Sequence, residues 1–464
     1  MVNDPIVNDM LEPICAISTP YGTGGIAVVR VSGEGSIAIV DTLFRGRVPL
    51  TGAKANTVHF GRIERDKEVL DEVLCTVFRA PHSFTGEETV EIACHGSLFI
   101  QQELLQWLID AGCRAAEPGE FTQRAFLNGK IDLSQAEAVA DLIAAQSKAE
   151  KDLALSQLRG AVSNALNELR ERLLHFTSLV ELELDFADHE ELEFADRSEL
   201  NRLADEIEGK LADLMASFRT GNAIRNGISV AIIGAPNVGK STLLNALLGE
   251  QRAIVSDIQG TTRDTIEDTL VIDGILFRLI DTAGLRETGD KLENMGIERS
   301  RQAAEKAQIV VVVREPNDRC AEREKTASLK EESDVQCSGT VIEVVNKADL
   351  IEGLSDHLPA TKDERIYISA KKGDIEPLRR ELVRAARETM HTGAVTLSNA
   401  RHYEAVCRAH EAITRVQQGM HDCLSGELLA MDLKDCIDAL GEVTGQITNQ
   451  EVLANIFSKF CIGK

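Results

Sequence analysis

The spacing of apolar residues changes along this chain. Near the start they fall in short β-prone runs at 26–31, 73–78 and 90–93, broken by the turns Tyr21-Gly22-Thr23-Gly24-Gly25 and Ser83-Phe84-Thr85-Gly86. The stretch 101–111 has helical periodicity, so residues 1–127 read as a small α+β domain. From 131 to about 218 glycine becomes scarce, and Leu158, Val162, Leu166, Leu169, Leu173, Phe176 and Val180 recur at threes and fours. That spacing predicts amphipathic helices. The texture returns after 400, with Val406, His410, Ile413, Val416, Leu424 and Leu428. Between the two helical stretches, apolar runs of strand length appear at 228–233, 277–280, 309–313, 341–345 and 366–368. The economical division is an α+β segment 1–127, a helical domain in two parts, 128–220 and 387–464, and an α/β domain 221–386 inserted between them.

The ends of those strand runs carry the chemistry. The first leads into Gly234-Ala235-Pro236-Asn237-Val238-Gly239-Lys240-Ser241, followed by the helix-prone Thr242-Leu243-Leu244-Asn245-Ala246-Leu247-Leu248. Strand, Gly-bounded loop and helix make a phosphate-binding loop, in which backbone N–H groups and the helix N-terminus face an anion. Lys240 would reach the terminal phosphates and Ser241 would bind Mg²⁺. Asp281-Thr282-Ala283-Gly284 follows the next run and suits the Mg²⁺ shell and a γ-phosphate sensor. Asn346-Lys347-Ala348-Asp349 follows 341–345, where the Asp349 carboxylate can accept both N–H donors of guanine; adenine would leave it without that pair. Ser369-Ala370-Lys371 adds backbone donors to the guanine oxygen. Each tetrapeptide alone is weak; all of them at strand ends, in this order, point to GTP. Gly260-Thr261-Thr262-Arg263-Asp264 lies where a mobile switch belongs, with a threonine hydroxyl available for Mg²⁺.

Leu285 stands directly after Asp281-Thr282-Ala283-Gly284, where many GTPases place a water-orienting glutamine. Leucine cannot orient water. A further cation, with Asn237 as a candidate ligand, and a carboxylate such as Glu293 are the candidate replacements.

Composition narrows the partners. The net charge of the 464 residues is −25, and one Trp and three Tyr leave few stacking platforms for single-stranded nucleic acid. This argues against a large electrostatic grip on RNA or membrane by the chain alone; a nucleic-acid role would need a local basic patch or a basic partner. The ten cysteines form no Cys-x-x-Cys pair, the acidic start Met1-Val2-Asn3-Asp4-Pro5 does not read as a signal peptide, and no apolar run approaches bilayer length. A reduced, cytoplasmic protein is expected. The acidic run 185–196 reads as a solvated loop or helix end, and 314–339 as a surface helix with loops.

With these motifs placed, the whole chain resembles the MnmE (TrmE) family of tRNA-modification GTPases. Beyond the GTP motifs, the match includes Gly296-Ile297-Glu298-Arg299, Ser83-Phe84-Thr85-Gly86-Glu87 and Pro118-Gly119-Glu120-Phe121-Thr122. It extends to Arg124-Ala125-Phe126-Leu127-Asn128-Gly129-Lys130 and Phe460-Cys461-Ile462-Gly463-Lys464. Related bacterial GTPases lack the segments outside the GTP domain, so those decide the assignment. The resemblance implies a Ras-like P-loop GTPase domain inserted in a helical domain, preceded by a tetrahydrofolate-binding-like α+β domain through which the chain forms a homodimer. It implies a 5-formyl- or methylene-tetrahydrofolate donor and the flavoprotein MnmG (GidA) as partner in a heterotetramer or larger complex. The implied product is an aminomethyl-type group on the wobble uridine of certain tRNAs, with tRNA held largely through MnmG.

Residue by residue, the resemblance assigns nucleotide contacts to Asn237, Val238, Gly239, Lys240, Ser241 and Thr242, and to Ser256, Asp257, Ile258, Gln259, Gly260, Thr261 and Thr262. It assigns others to Asp281, Thr282, Ala283 and Gly284, and to Asn346, Lys347, Asp349, Ser369, Ala370 and Lys371. Ser241 and Thr262 match Mg²⁺ ligands, Asn237, Ser256, Ile258 and Thr261 match K⁺ ligands, and Glu293 matches the water-orienting carboxylate. Arg30, Glu91, Lys130 and Lys464 match folate-contacting positions, and Cys461 the family's C-terminal cysteine. One departure is Arg314, where the family usually has an aspartate; it lies outside the phosphate and base motifs. The competing reading is a ribosome-assembly or RNA-switch GTPase of the Era-like type, which usually appends a basic RNA-binding module after the GTPase domain. The acidic-to-neutral helical stretch after 400 does not fit that plan.

Overall fold

The computed structural model describes residues 12–185, 197–249, 268–280, 303–305, 307–316, 339–351, 365–390 and 395–463. Contacts separate the chain into two compact units, Met1–Ala140 with Gly441–Lys464, and Asp141–Leu440.

The first unit is built on a seven-stranded sheet. Its strands are β1 (Ile14–Ile17), β2 (Gly24–Ser32), β3 (Phe44–Gly46), β4 (Thr57–Arg65), β5 (Glu68–Phe78), β6 (Thr89–Gly96) and β7 (Arg114–Ala115), in spatial order β3-β4-β5-β6-β2-β1-β7. Strict alternation makes it two-faced. Ala27, Val29 and Val31 of β2, Val73, Cys75 and Val77 of β5, and Val90, Ile92 and Cys94 of β6 are buried. They pack with residues of helices α1 (Ser36–Leu43) and α2 (Leu98–Asp110) in one core. The opposite face has two cross-strand rows. Val28, Ala93, Leu74 and Phe60 form one, and Arg30, Glu91, Thr76 and Val58 the next. On this face Phe60 is 65% exposed and Val58 58%.

Helix α3 (Glu120–Leu127) starts at Gly119, whose φ of 70° is left-handed. The end of the chain returns to it. Gly119 N–H donates to the Cys461 carbonyl at 3.3 Å, and Ser18 Oγ to the Gly463 carbonyl at 3.1 Å. Gly463 has φ 92°, and a Cβ there would stand 2.3 Å from the Ile17 carbonyl oxygen, so this docked strap requires glycine.

The second unit joins helices to an open α/β sheet. Its helices α5 (Lys148–Leu158), α6 (Ala161–Asp185), α7 (Arg197–Asn226) and α10 (Ala400–His421) carry the amphipathic stripes. Helices α4 (Leu133–Ala144) and α11 (Gly426–Thr444) run across the division between units. Val162, Leu166, Leu169, Leu173, Phe176 and Val180 are all buried, as are Val406, Ile413 and Val416; α10 packs along α7. Helices from the two stretches, about two hundred positions apart, thus pack together. Two positions of the expected stripe fail. Leu424 and Leu428 are exposed because α10 ends at His421, and α11 restarts in a new phase that buries Leu429, Leu433, Cys436 and Leu440 instead.

The sheet comprises β8 (Ile228–Ile233), β9 (Asp268–Ile272), β10 (Ile275–Leu279), β11 (Ile309–Arg314), β12 (Thr340–Val345) and β13 (Ile366–Tyr367), in order β13-β12-β11-β8-β10-β9. All neighbours are parallel except the β9–β10 hairpin. Its near-continuous apolar strands suit a sheet covered on both faces: helices α8 (Lys240–Gly249) and α9 (Glu376–Thr389) bring Leu243, Leu247, Leu378 and Leu382 to one core, and Ala303, Ala304 and Ala307 pack against Ala231 and Val310 in another. This is the α/β GTPase-type domain set into helices that the strand runs imply. Among the described residues no helix is long and apolar enough to cross a membrane.

Candidate GTP and folate sites

In a parallel sheet of this kind, ligands gather at the carboxyl ends of the strands. The phosphate loop follows β8 and opens α8. Gly234 is forced by its neighbour: a Cβ would lie 2.3 Å from the Val313 carbonyl oxygen. At Gly239 a Cβ would lie 2.4 Å from Asn346 Nδ2. That space lets Asn346 Nδ2 donate to the Val238 carbonyl at 2.9 Å while its Oδ1 accepts from Ala370 N–H at 3.1 Å. A single buried amide thereby ties together the phosphate loop, Asn346-Lys347-Ala348-Asp349 and Ser369-Ala370-Lys371.

Lys240 Nζ donates to the Gly234 and Ala235 carbonyls, both at 2.8 Å. Burial lowers its pKa below the usual lysine range. A terminal phosphate would complete a charge that those neutral carbonyls only partly solvate. Ser241 is half-buried and Thr242 exposed at the start of α8, while Val238 is buried in the core. Ser369 Oγ donates to Asp349 Oδ1 at 2.7 Å, and that hydrogen bond holds the carboxyl below the usual carboxylate range. The Asp349 carboxylate is therefore ionised and fixed in direction. Lys347 and Asn237 both have left-handed backbones, φ 60° and 65°, and Lys347 Nζ donates to the Asn237 carbonyl at 2.8 Å. Lys371 is exposed.

Ser256, Asp257, Ile258, Gln259, Gly260, Thr261, Thr262, Asp281, Thr282, Ala283, Gly284 and Glu293 lie outside the described residues, as do Lys464, 186–196 and 317–338. Sequence reasoning missed Glu315, whose Oε1 pairs with Lys347 Nζ. The available signal was a carboxylate directly after Arg314 at a strand end.

The first unit assembles a second site. Arg30 Nε and Nη2 donate to Glu91 Oε1 at 3.0 and 2.8 Å across β2 and β6. The guanidinium carbon lies 5.8 Å from the Phe84 ring centroid and 5.5 Å from that of Phe121. The charged plane is thus held by two aromatic rings and a carboxylate. Beside it, Ser32 Oγ meets Thr85 Oγ1 at 2.7 Å and donates to Glu87 Oε2 at 3.0 Å. Asn128 Nδ2 donates to the Thr85 carbonyl at 2.8 Å, and Lys130 Nζ to the Pro81 carbonyl at 2.9 Å. The fully buried Arg124 bridges Glu120 and Glu87 at 2.9 and 3.3 Å. The separate motifs at 83–87, 118–122 and 124–130 therefore converge. Cys461 is exposed, and its segment meets this site through α3, with Gly119 holding the Cys461 carbonyl and Phe121 facing Arg30.

Comparison with known proteins covers the same ground. Residues 13–130 match the family model for the GTP-binding protein TrmE N-terminus, and 133–461 that for the MnmE helical domain. The tRNA modification GTPase MnmE of Parabacteroides distasonis is 54% identical over 463 residues, covering 98% of this chain and 100% of the relative. Those of Bacteroides thetaiotaomicron and Porphyromonas gingivalis are each 50% identical, covering 98% of this chain and 99% and 98% of the relatives. A guanine-type nucleotide site with these matches end to end means that the chain belongs to the MnmE family of tRNA modification GTPases.

Proposed function

We propose that this chain hydrolyses GTP in a K⁺-dependent way and, with the flavoprotein MnmG, adds an aminomethyl-type group to the wobble uridine of certain tRNAs from a tetrahydrofolate one-carbon donor. The observation that carries the reading is one chain holding both the Asn346-centred nucleotide site and the Arg30–Glu91 pair between Phe84 and Phe121. A bicyclic pterin offers a flat apolar face and amide-type donors, which suits the exposed Phe84 ring and the Glu91 carboxylate, with the buried Phe121 backing the Arg30 guanidinium. Lys130 and Lys464 would meet its glutamate carboxylates. The reaction would take place in the cytoplasm, and MnmG would bring most of the tRNA contact, as a net charge of −25 demands.

In the GTP site, Ser241 offers a hard oxygen at the foot of the phosphate loop, suited to Mg²⁺, with Thr262 as the second ligand. Asn237 is exposed on that loop with its carbonyl already engaged, leaving its side-chain oxygen for K⁺ alongside Ser256, Ile258 and Thr261. A K⁺ held there would supply positive charge to the transferring phosphate, the service an arginine finger gives elsewhere. Glu293 orients the attacking water where Leu285 cannot. Hydrolysis is expected to be at least about tenfold faster in K⁺ than in Na⁺, a difference of roughly 1.4 kcal/mol in the barrier. Asn237→Ala should erase the preference. Equal wild-type rates in the two salts contradict the K⁺ assignment.

The uncovered sheet face supports a homodimer. Phe60, Val58 and Leu74 form an exposed apolar patch in rows that continue into Ala93, Glu91 and Arg30. Phe60→Asp is expected to convert a dimer to monomer in sedimentation equilibrium. An unchanged dimer mass would move the interface elsewhere.

A further inference from the structure

The Lys347 ammonium sits between two partners that are distant in sequence, the Asn237 carbonyl and Glu315 Oε1. Topology brings them together. β11 and β12 are parallel neighbours with Arg314 opposite Val345, so the residues just beyond each strand emerge at the same edge of the sheet, over the phosphate loop. Arg314 itself turns toward Glu343, at 3.8 Å. The carboxylate that reaches Lys347 comes one residue later.

What the ammonium holds is strained. Lys347 and Asn237 are both non-glycine residues with left-handed backbones, and such conformations persist only where neighbours over-determine them. The ammonium links one to the other. Its hydrogen bond fixes the direction of the Asn237 carbonyl, and through it the turn of the phosphate loop between Gly234 and Gly239. Without a counter-charge, a lysine ammonium on a flexible stem gains more from water than from one neutral carbonyl. Glu315 changes that balance.

We propose that Glu315 is a positioning residue for nucleotide binding: acting through the Lys347 ammonium, it fixes the Asn237 carbonyl and preorganises the phosphate loop. The chain of contacts touches parts of the site common to GTP and GDP, so the effect belongs to ground-state binding and not to the chemical step. The Glu315 and Lys347 side chains are 42% and 35% exposed, and exposed ion pairs are modest in strength, so the expected factor is also modest.

The test measures GDP and non-hydrolysable GTP-analogue affinity, with steady-state GTP hydrolysis, on the full chain carrying E315Q, E315D, K347A and E315Q/K347A. E315Q is expected to weaken both nucleotides equally, by about threefold to fivefold, with KM rising and kcat within twofold of wild type. E315D, which keeps the charge on a shorter stem, should recover part of the affinity. In the K347A background E315Q should cost nothing further, because the partner through which it acts is gone. Wild-type affinity in E315Q overturns the proposal, as does an equal loss in the K347A background. So does a fall in kcat with KM unchanged, which would place Glu315 in the chemical step.

Discussion

Asp349→Asn is expected to weaken GTP and GDP binding by about a hundredfold and to relax the choice of base. The carboxylate is already ionised and oriented by Ser369 Oγ at 2.7 Å, so, placed at the base as proposed, its two oxygens would meet guanine's ring N–H and exocyclic amine without reorganisation. Two charge-assisted hydrogen bonds are worth on the order of 3 kcal/mol, and each 1.4 kcal/mol is tenfold in affinity. Asparagine keeps the shape but turns one acceptor into a donor, which faces guanine's amine badly and a base carrying a carbonyl there well. Xanthine nucleotides should therefore gain relative to guanine nucleotides. Titration calorimetry with both bases decides it, and unchanged GTP affinity would show that Asp349 is not at the base.

The second large effect lies in the other unit. Removing residues 461–464 is expected to abolish wobble-uridine modification while leaving K⁺-stimulated GTP hydrolysis within about twofold, a barrier change under 0.5 kcal/mol. The strap is attached at Gly119 N–H, at the start of α3, and at Ser18 Oγ, just after β1, and α3 carries Phe121 against Arg30. Its loss frees a buried turn next to Phe121 and Arg30, the residues proposed to serve the folate, whereas the nucleotide motifs between Gly234 and Lys371 belong to the second unit. Gly463→Ala offers a full-length check, because its Cβ would meet the Ile17 carbonyl oxygen at 2.3 Å on a left-handed backbone. It should lower modification in the same direction. Full modification by the truncated chain would reduce the strap to a packing element.

The parts of this molecule visible in its sequence are those with local causes. Gly234 and Gly239 announce the phosphate loop because close backbone and side-chain approaches exclude a Cβ there. The apolar runs before each motif announce a covered parallel sheet, and the stripe from Val162 to Val180 is buried along its length. The failures are long-range or depend on phase. Leu424 and Leu428 continue a helical spacing on paper, but the break after His421 resets which face is buried. Local periodicity marks the helix Gln450–Phe457, yet it does not say that Phe457 packs on Leu133 and Ala136 more than three hundred positions earlier. Glu315 shows in the sequence only as a carboxylate at a strand end. Its importance lies in a strand register that places it beside Lys347, and one-dimensional spacing carries no register. Arg30 and Glu91 were named by resemblance to the family; only the β2–β6 pairing makes them neighbours.

The most direct measurement of the central claim is mass spectrometry of tRNA wobble uridines from cells lacking this chain, complemented with the wild type or with Lys240→Ala. The account predicts that the aminomethyl-type modification disappears on deletion, returns with the wild type, and stays absent with Lys240→Ala, whose ammonium is needed at the terminal phosphates. Unmodified and modified uridine in the same proportions with and without the chain would contradict it.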